Sequence, residues 1–202
     1  MLTTGDLISV APAAVAALPR IPLVVAMMGL PGAGKSVVAR ALERELGLRR
    51  VCREAIRDAM FPRCNYSFVE KRAAFRSVLL AIEINCVLGE SSVVDGITFS
   101  RRQDFDQIAA LGDARGFGVL PLLIDCPPGL ARARFVRDEL ARRGAEQDID
   151  ARFVESGIAL FDNPPLRTLR IDGSLPMVDV CRLAVVEIAA RLDRPATVSP
   201  SP

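Results

Sequence analysis

Apolar and polar positions along the 202-residue chain fall into two rhythms. Short apolar runs predict strands buried on both faces at 23–29 (LVVAMMG), 92–95 (SVVD) and 119–125 (VLPLLID), with further strands at 48–52 and 169–172. Helical stretches are predicted at 36–46, 54–60, 101–115, 128–143, 151–160 and 177–192, and Gly47 and Gly116 serve as stops. A long helix is predicted over 68–88. Its second half, VLLAIEINCVL, is apolar nearly all round and is expected to be buried between other elements. Residues 144–150 read as a polar loop, 1–20 as a loosely attached leader and 194–202, rich in Pro and Ser, as a disordered tail. Strands alternating with helices imply an α/β fold: a five-stranded parallel sheet flanked by helices, in one domain over 21–193.

Composition narrows the partners. The formal charge is only +2, which argues against a dedicated nucleic-acid binder. All but two of the 26 basic residues are Arg, so the two lysines, Lys35 and Lys71, carry unusual information. There is no His, and the five cysteines show no C-x-x-C pair, so a Cys/His zinc site is excluded. An odd cysteine count points to reduced thiols and a cytoplasmic protein. No apolar run is long enough to span a membrane, and no basic residue precedes the apolar stretch at 7–18, as a secretory signal would require.

Lys35 lies in Gly29-Leu30-Pro31-Gly32-Ala33-Gly34-Lys35-Ser36, which fits G-x-x-x-x-G-K-[ST] between a predicted buried strand and a predicted helix. Glycines let such a loop aim backbone N–H groups at phosphate oxygens, and the helix N-terminus, entered at Ser36 and Val37, adds its dipole. Lys35 is then a point charge for the β- and γ-phosphates, and Ser36 a hydroxyl for Mg²⁺. The expected ligand is ATP with Mg²⁺.

Four stretches resemble the small P-loop kinases of the predicted-kinase (AAA_33-like) group, related to the kinase domain of polynucleotide kinase, the chloramphenicol phosphotransferases and the zeta toxins. They are the loop itself, Cys52-Arg-Glu-Ala-Ile-Arg-Asp58, Val93-Val-Asp-Gly-Ile-Thr-Phe-Ser-Arg101, and Leu123-Ile-Asp-Cys-Pro-Pro128 followed by Arg132, Arg134 and Arg137. Phe161-Asp-Asn-Pro-Pro165 is similar to the turn before the last strand of those kinases. The resemblance covers about 23–192. It implies a P-loop NTPase fold, adenylate-kinase-like, with a small arginine-bearing lid at about 132–150. It also implies that Glu54 stands at the position of the base and Arg57 close to the phosphates. Asp95 matches the strand-end carboxylate, and Arg134 and Arg137 the nucleotide-gripping arginines.

Elementary chemistry runs alongside. Glu54 and Arg57, three apart on a helix, share a face at the ligand-binding edge of a parallel sheet. A carboxylate there can take a proton from an attacking hydroxyl. Asp95, ending a buried strand expected beside the strand that feeds the phosphate loop, is placed to hold Mg²⁺ directly or through water. Arg134 and Arg137, one turn apart, can point together at a nucleotide. The expected activity is transfer of the γ-phosphoryl of ATP to a hydroxyl of a small molecule, by a monomer or homodimer. A polynucleotide 5′-hydroxyl ranks lower as acceptor, because the chain has no Trp and one Tyr, although Arg49, Arg50, Arg53 and Arg63 could line a groove. A nucleotide-switched binding module without phosphotransfer is the remaining alternative.

Overall fold

The strand Leu23–Met28 (β1) is buried along its whole length and sits at the centre of the sheet. The computed structural model describes residues 22–97, 99, 102–143 and 165–192. Expectations for the leader, the loop at 144–150, the helix at 151–160, the FDNPP turn as far as Pro164 and the tail lie outside these residues, as do Thr98, Ser100 and Arg101. In chain order the other described elements are Lys35–Leu46 (α1), Arg49–Cys52 (β2), Arg53–Met60 (α2), Phe68–Val87 (α3), Ser92–Asp95 (β3), Arg102–Ala114 (α4), Gly118–Asp125 (β4), Pro128–Arg143 (α5), Leu169–Asp172 (β5) and Met177–Leu192 (α6).

The five strands are parallel and lie in the order β2-β3-β1-β4-β5. β1 therefore pairs with β3 on one side (Val25 opposite Val93) and with β4 on the other (Val25 opposite Leu120). Strand alternation splits its side chains between two cores. Val25 and Met27 pack with Val38 and Leu42 of α1 and Val180, Ala184 and Ile188 of α6. Val24, Ala26 and Met28 pack on the opposite face with Phe75, Val78 and Ile82 of α3 and Phe105 and Ile108 of α4. Both faces are covered, which is why the central strands read as continuous apolar runs.

Local signals set the helix ends. α1 closes on Gly47 in the left-handed conformation, with its N–H donated to the Glu43 carbonyl. α3 opens with a capping box between Ser67 and Glu70. The expectation that the second half of α3 is buried all round is not met. Ala74, Phe75, Val78, Ile82 and Cys86 face the core, whereas Leu80, Ile84, Val87 and Leu88 are exposed, Leu80 at 57% and Ile84 at 51%. The reason is geometric: the sheet and its helices cover one side of α3, and an apolar residue on the other side gains nothing from its composition. Accordingly, Ile82→Ala should lower the unfolding free energy by about 2–5 kcal/mol. Ile84→Ala, two residues on, should change it by no more than about 0.5 kcal/mol. Urea unfolding of both variants measures the contrast, and equal losses would refute this account of α3.

Candidate functional site: a phosphate loop and its acidic partners

β1 ends at the C-terminal edge of the sheet, and the chain turns there through Gly29–Gly34 before α1 begins at Lys35. The loop is tight. Gly32 has φ 76°, and a Cβ on it would lie 2.0 Å from the Ala131 carbonyl oxygen and 2.8 Å from the Phe135 nitrogen of α5. Only glycine allows that conformation and that approach. Leu30 and Ala33 are buried, and the Ala33 N–H donates to the Leu30 carbonyl at 3.1 Å. Val37, at the start of α1, is exposed.

Lys35 curls back over the loop, and its ammonium donates to the carbonyls of Gly29 and Leu30, each at 2.9 Å. Burial pushes its pKa down to about 8, against the opposing pull of Asp95 and then Glu54, and Arg53 adds to the lowering. Lys35 is thus a desolvated cation awaiting more negative charge than the protein itself supplies.

Asp95 is 1% exposed at the end of β3. Its Oδ1 accepts the Ser36 hydroxyl at 3.0 Å and the Gly96 N–H at 2.7 Å, and its Oδ2 lies 3.2 Å from Arg50 Nη1. The strand order produces this meeting, since β3 is the immediate neighbour of β1. A hydroxyl and a carboxylate at this distance are hard oxygen donors of the kind Mg²⁺ takes, so these two residues fit the ion.

α2 starts directly after β2 and sits against the turn that follows β3. Gly96 has φ 74°, and a Cβ on it would come within 3.3 Å of Glu54 Cγ. Glu54 is exposed at this edge, while Arg57 is buried, with Nη2 3.2 Å from Asp58 and the Tyr66 ring over its guanidinium at 4.5 Å. The two residues expected to share a face therefore differ in surroundings.

The arginines of α5 diverge. Arg134 donates from Nη1 to the Gly173 carbonyl at 2.8 Å, just beyond β5, with Cys126 Sγ at 3.8 Å. Arg137 is exposed and paired with Asp138 at 2.9 Å. The tertiary structure also gives three residues a place beside the phosphate loop: Arg50 and Arg53, expected only as candidates for a nucleic-acid groove, and Tyr66. Arg50 reaches Asp95, Arg53 influences Lys35, and Tyr66 covers Arg57. For Arg53 a signal existed: it lies one helical turn from Arg57, on the same side of α2. For the pairing of Arg50 with Asp95 none did, because the two are 45 residues apart. A hollow of about 750 Å³ lined by Pro22, Leu48, Gly89 and Leu192 opens at the opposite edge of the sheet and takes no part in this arrangement.

All five cysteines are free. No cluster of metal-ligating His, Cys, Asp and Glu occurs among the described residues, and no helix there is long and apolar enough to cross a membrane.

The family model described as an AAA domain, AAA_33, matches residues 24–164. The chain belongs to the AAA_33 family. Its match takes in the phosphate loop, Glu54, Asp95 and the arginines of α5. Comparison with curated proteins gives no match. Among solved structures, this AAA_33 chain is similar to a gluconokinase from Sinorhizobium meliloti, at 17% identity and a TM-score of 0.60, covering 87% of this chain and 96% of that one. A sugar kinase from Janibacter sp. HTCC2649 shares 17% identity with a TM-score of 0.58, over 85% and 98% of the two chains. The APS kinase of Mycobacterium tuberculosis in complex with AMPPNP and APS shares 16% identity with a TM-score of 0.58, over 87% and 100%. At these identities the likeness establishes the P-loop NTPase fold.

The lowered pKa of Lys35 has a measurable sign. Its folded-state value of about 8 lies below the unfolded value of about 10.4, so the protonated lysine destabilises the fold below about pH 8, and the penalty fades as pH rises toward the unfolded value. A bound triphosphate restores the charge. Binding of ATP with Mg²⁺ at about pH 9 should therefore take up roughly one proton, and at about pH 7 almost none. Calorimetry in buffers of different ionisation heat reads the difference. No uptake at the higher pH would mean that Lys35 does not meet the phosphates.

Proposed function

We propose that this protein is a kinase that transfers the γ-phosphoryl group of ATP, bound with Mg²⁺, to a hydroxyl of a small molecule. One observation carries the reading: the phosphate loop, the Ser36–Asp95 pair and the exposed carboxylate of Glu54 converge at one edge of the sheet. In an open parallel sheet that edge is where ligands bind.

The roles follow from the surroundings. The loop backbone and Lys35 receive the β- and γ-phosphates, because the ammonium is desolvated and tied only to neutral carbonyls and distant carboxylates. Ser36 and Asp95 would hold Mg²⁺, which supplies neutralising charge at the phosphate oxygens when bound. Arg50, 3.2 Å from the far oxygen of Asp95, holds that carboxylate in place. Glu54, in the first turn of α2, accepts the proton of the attacking hydroxyl as its oxygen bonds to phosphorus and the bond to the leaving ADP oxygen breaks. Arg134, held on the Gly173 carbonyl at the same sheet edge, is the α5 arginine suited to the nucleotide. Arg137 would need to leave Asp138 to join it. The lid arrangement over 132–150 is part of this proposal.

A polynucleotide acceptor gains no support. Arg49 is committed to Glu90 at 2.8 Å, and Arg50 to Glu43 and Asp95, so two of the four candidate groove arginines are neutralised. Free thiols and use of ATP suit a cytoplasmic enzyme.

Glu54→Gln keeps size and hydrogen bonding but removes the charge. Acceptor-dependent ADP release should fall roughly 10²–10⁴-fold, with ATP affinity changed no more than a few-fold. Equal rates in wild type and variant would remove Glu54 as the base, and absence of acceptor-dependent turnover in the wild type across a broad set of hydroxyl compounds would overturn the kinase reading. Asp95→Asn should weaken nucleotide binding with Mg²⁺ more than without it, as measured by calorimetry. A change in thermal stability alone would make Asp95 a strand-end turn residue.

A further inference from the structure

α3 and α4 cover the same face of the sheet, yet they meet solvent differently. α4 exposes Arg102, Gln103, Asp106, Gln107 and Asp113, the usual outer side of an amphipathic helix. α3 exposes Val69, Arg76, Leu80, Ile84 and Val87, which follow one another at steps of seven, four, four and three residues. Such steps keep to one side of a helix, so these residues form a single seam opposite Phe75, Val78 and Ile82 on the core side. Val69 is 74% exposed and Val87 66%, and Leu88, at 64%, widens the seam at its end. The seam leaves roughly 500 Å² of apolar surface on one helix, at the upper end of what a monomer shows.

The seam is graded along its length. Its first half carries the small, half-buried Ala73 and Ser77, and the Ser77 hydroxyl donates back to the Ala73 carbonyl at 3.2 Å. Its second half carries the larger Leu80, Ile84 and Val87. A surface that runs from small to large is complementary to itself only when reversed. Turned end for end about Leu80, a second copy places its Ala73 and Ser77 under Ile84 and Val87 of the first, and the two Leu80 side chains meet. Small residues opposite large ones let the axes approach to the 8–10 Å of packed helices.

The same reversal matches charge. Arg76 lies four residues before Leu80 and Glu83 three after it, which is about 6 Å and about 4.5 Å along the axis. In the reversed pair, Arg76 of one copy comes level with Glu83 of the other, on the same flank of the seam, and does so twice. Arg76 is exposed and makes no ion pair among the described residues. Glu83 holds Arg115 through Oε1, and its side chain remains 39% exposed, which leaves Oε2 to accept. A parallel pair would set Arg76 against Arg76 and Glu83 against Glu83, and like charges in register oppose association.

We propose that the chain forms a two-fold symmetric homodimer by antiparallel packing of α3 on α3 of a second copy, with Leu80 at the axis. The proposal is independent of the kinase reading. In such an interface every contact occurs twice, and the two seams with their polar flanks bury about 1,200 Å², the lower end of the range for stable complexes. The stability contrast expected between Ile82→Ala and Ile84→Ala belongs to a single copy and is read in protein dilute enough to be monomeric.

Sedimentation velocity of the full chain over a concentration series tests the interface. Wild type should be dimeric at about 100 µM and dissociate on dilution, as an interface of this size does. Leu80→Arg sets two like charges on the axis and should weaken the dimer at least tenfold, with unchanged circular dichroism and melting in dilute protein. Val178→Arg, at a 74% exposed position of α6 outside the seam, should leave the dimer intact. Orientation is read by mild oxidation. Ala73→Cys mixed with Val87→Cys should give linked pairs of chains, whereas neither variant alone should exceed wild type with its own free thiols. A wild type that stays monomeric would overturn the proposal and leave the seam to another protein or to the chain's own remaining residues. A dimer that survives Leu80→Arg would place the interface elsewhere and overturn it too. Linking within each cysteine variant alone, and none between them, would mean parallel helices and refute the antiparallel seam.

Discussion

The buried carboxylate of Asp95 is the constraint on which the site depends. A charge at 1% exposure persists only when it is paired and hydrogen-bonded. Its partners come from three elements: the Ser36 hydroxyl from the start of α1, Arg50 from β2, and the Gly96 N–H from the turn after β3. Satisfying that one side chain fixes the phosphate loop against β3 and brings β2 alongside. It also sets the turn at Gly96 on which α2 rests. Glu54, Arg53 and Arg57 inherit their positions from that seat.

Charge is distributed unevenly around this centre. On the phosphate-loop side, Lys35 is desolvated and short of negative charge, with Asp95 and Glu54 offsetting only part of the penalty. On the α2 side, Arg53 and Arg57 oppose each other while Asp104 is engaged with Arg72. Both regions hold cations that the protein does not fully neutralise, and Glu54 lies between them. Away from this edge several arginines are conventionally paired, as Arg49 with Glu90 and Arg182 with Asp179.

The helices that hold this edge differ in how firmly they are anchored. α1 and α6 share a core with β1, through Val38, Leu42, Ala184 and Ile188. α2 is short, has exposed residues on most of its surface, and buries chiefly the side chain of Arg57. Its position depends on the turn at Gly96 and on the cover that Tyr66 gives Arg57. An element held by so little apolar surface is suited to adjust when a substrate arrives.

Much of the fold was legible in the sequence, because the strands announce themselves locally. LVVAMM, SVVD and VLPLLID are apolar runs that only a sheet covered on both faces can bury, and the phosphate loop is a contiguous motif whose glycines and Lys35 need no distant partner to be recognised. The strand ending in Asp95 was expected beside β1 and lies there, but the full order of the five strands was not legible, since the periodicity of a strand says nothing of its neighbours. Nor was the exposed side of α3: Leu80 and Ile84 have the same chemistry as Ile82, and only the placement of the sheet decides which of them is covered. The arginines show the limit most clearly. In a chain where arginine supplies nearly every cation, the motifs mark Arg57 and Arg134 for the site, but nothing local says what Arg50, Arg57 or Arg134 will touch. The tertiary structure sends the first to Asp95, buries the second under Tyr66 and ties the third to the Gly173 carbonyl. A side chain's partner is set by residues far along the chain, and periodicity reports only on near neighbours.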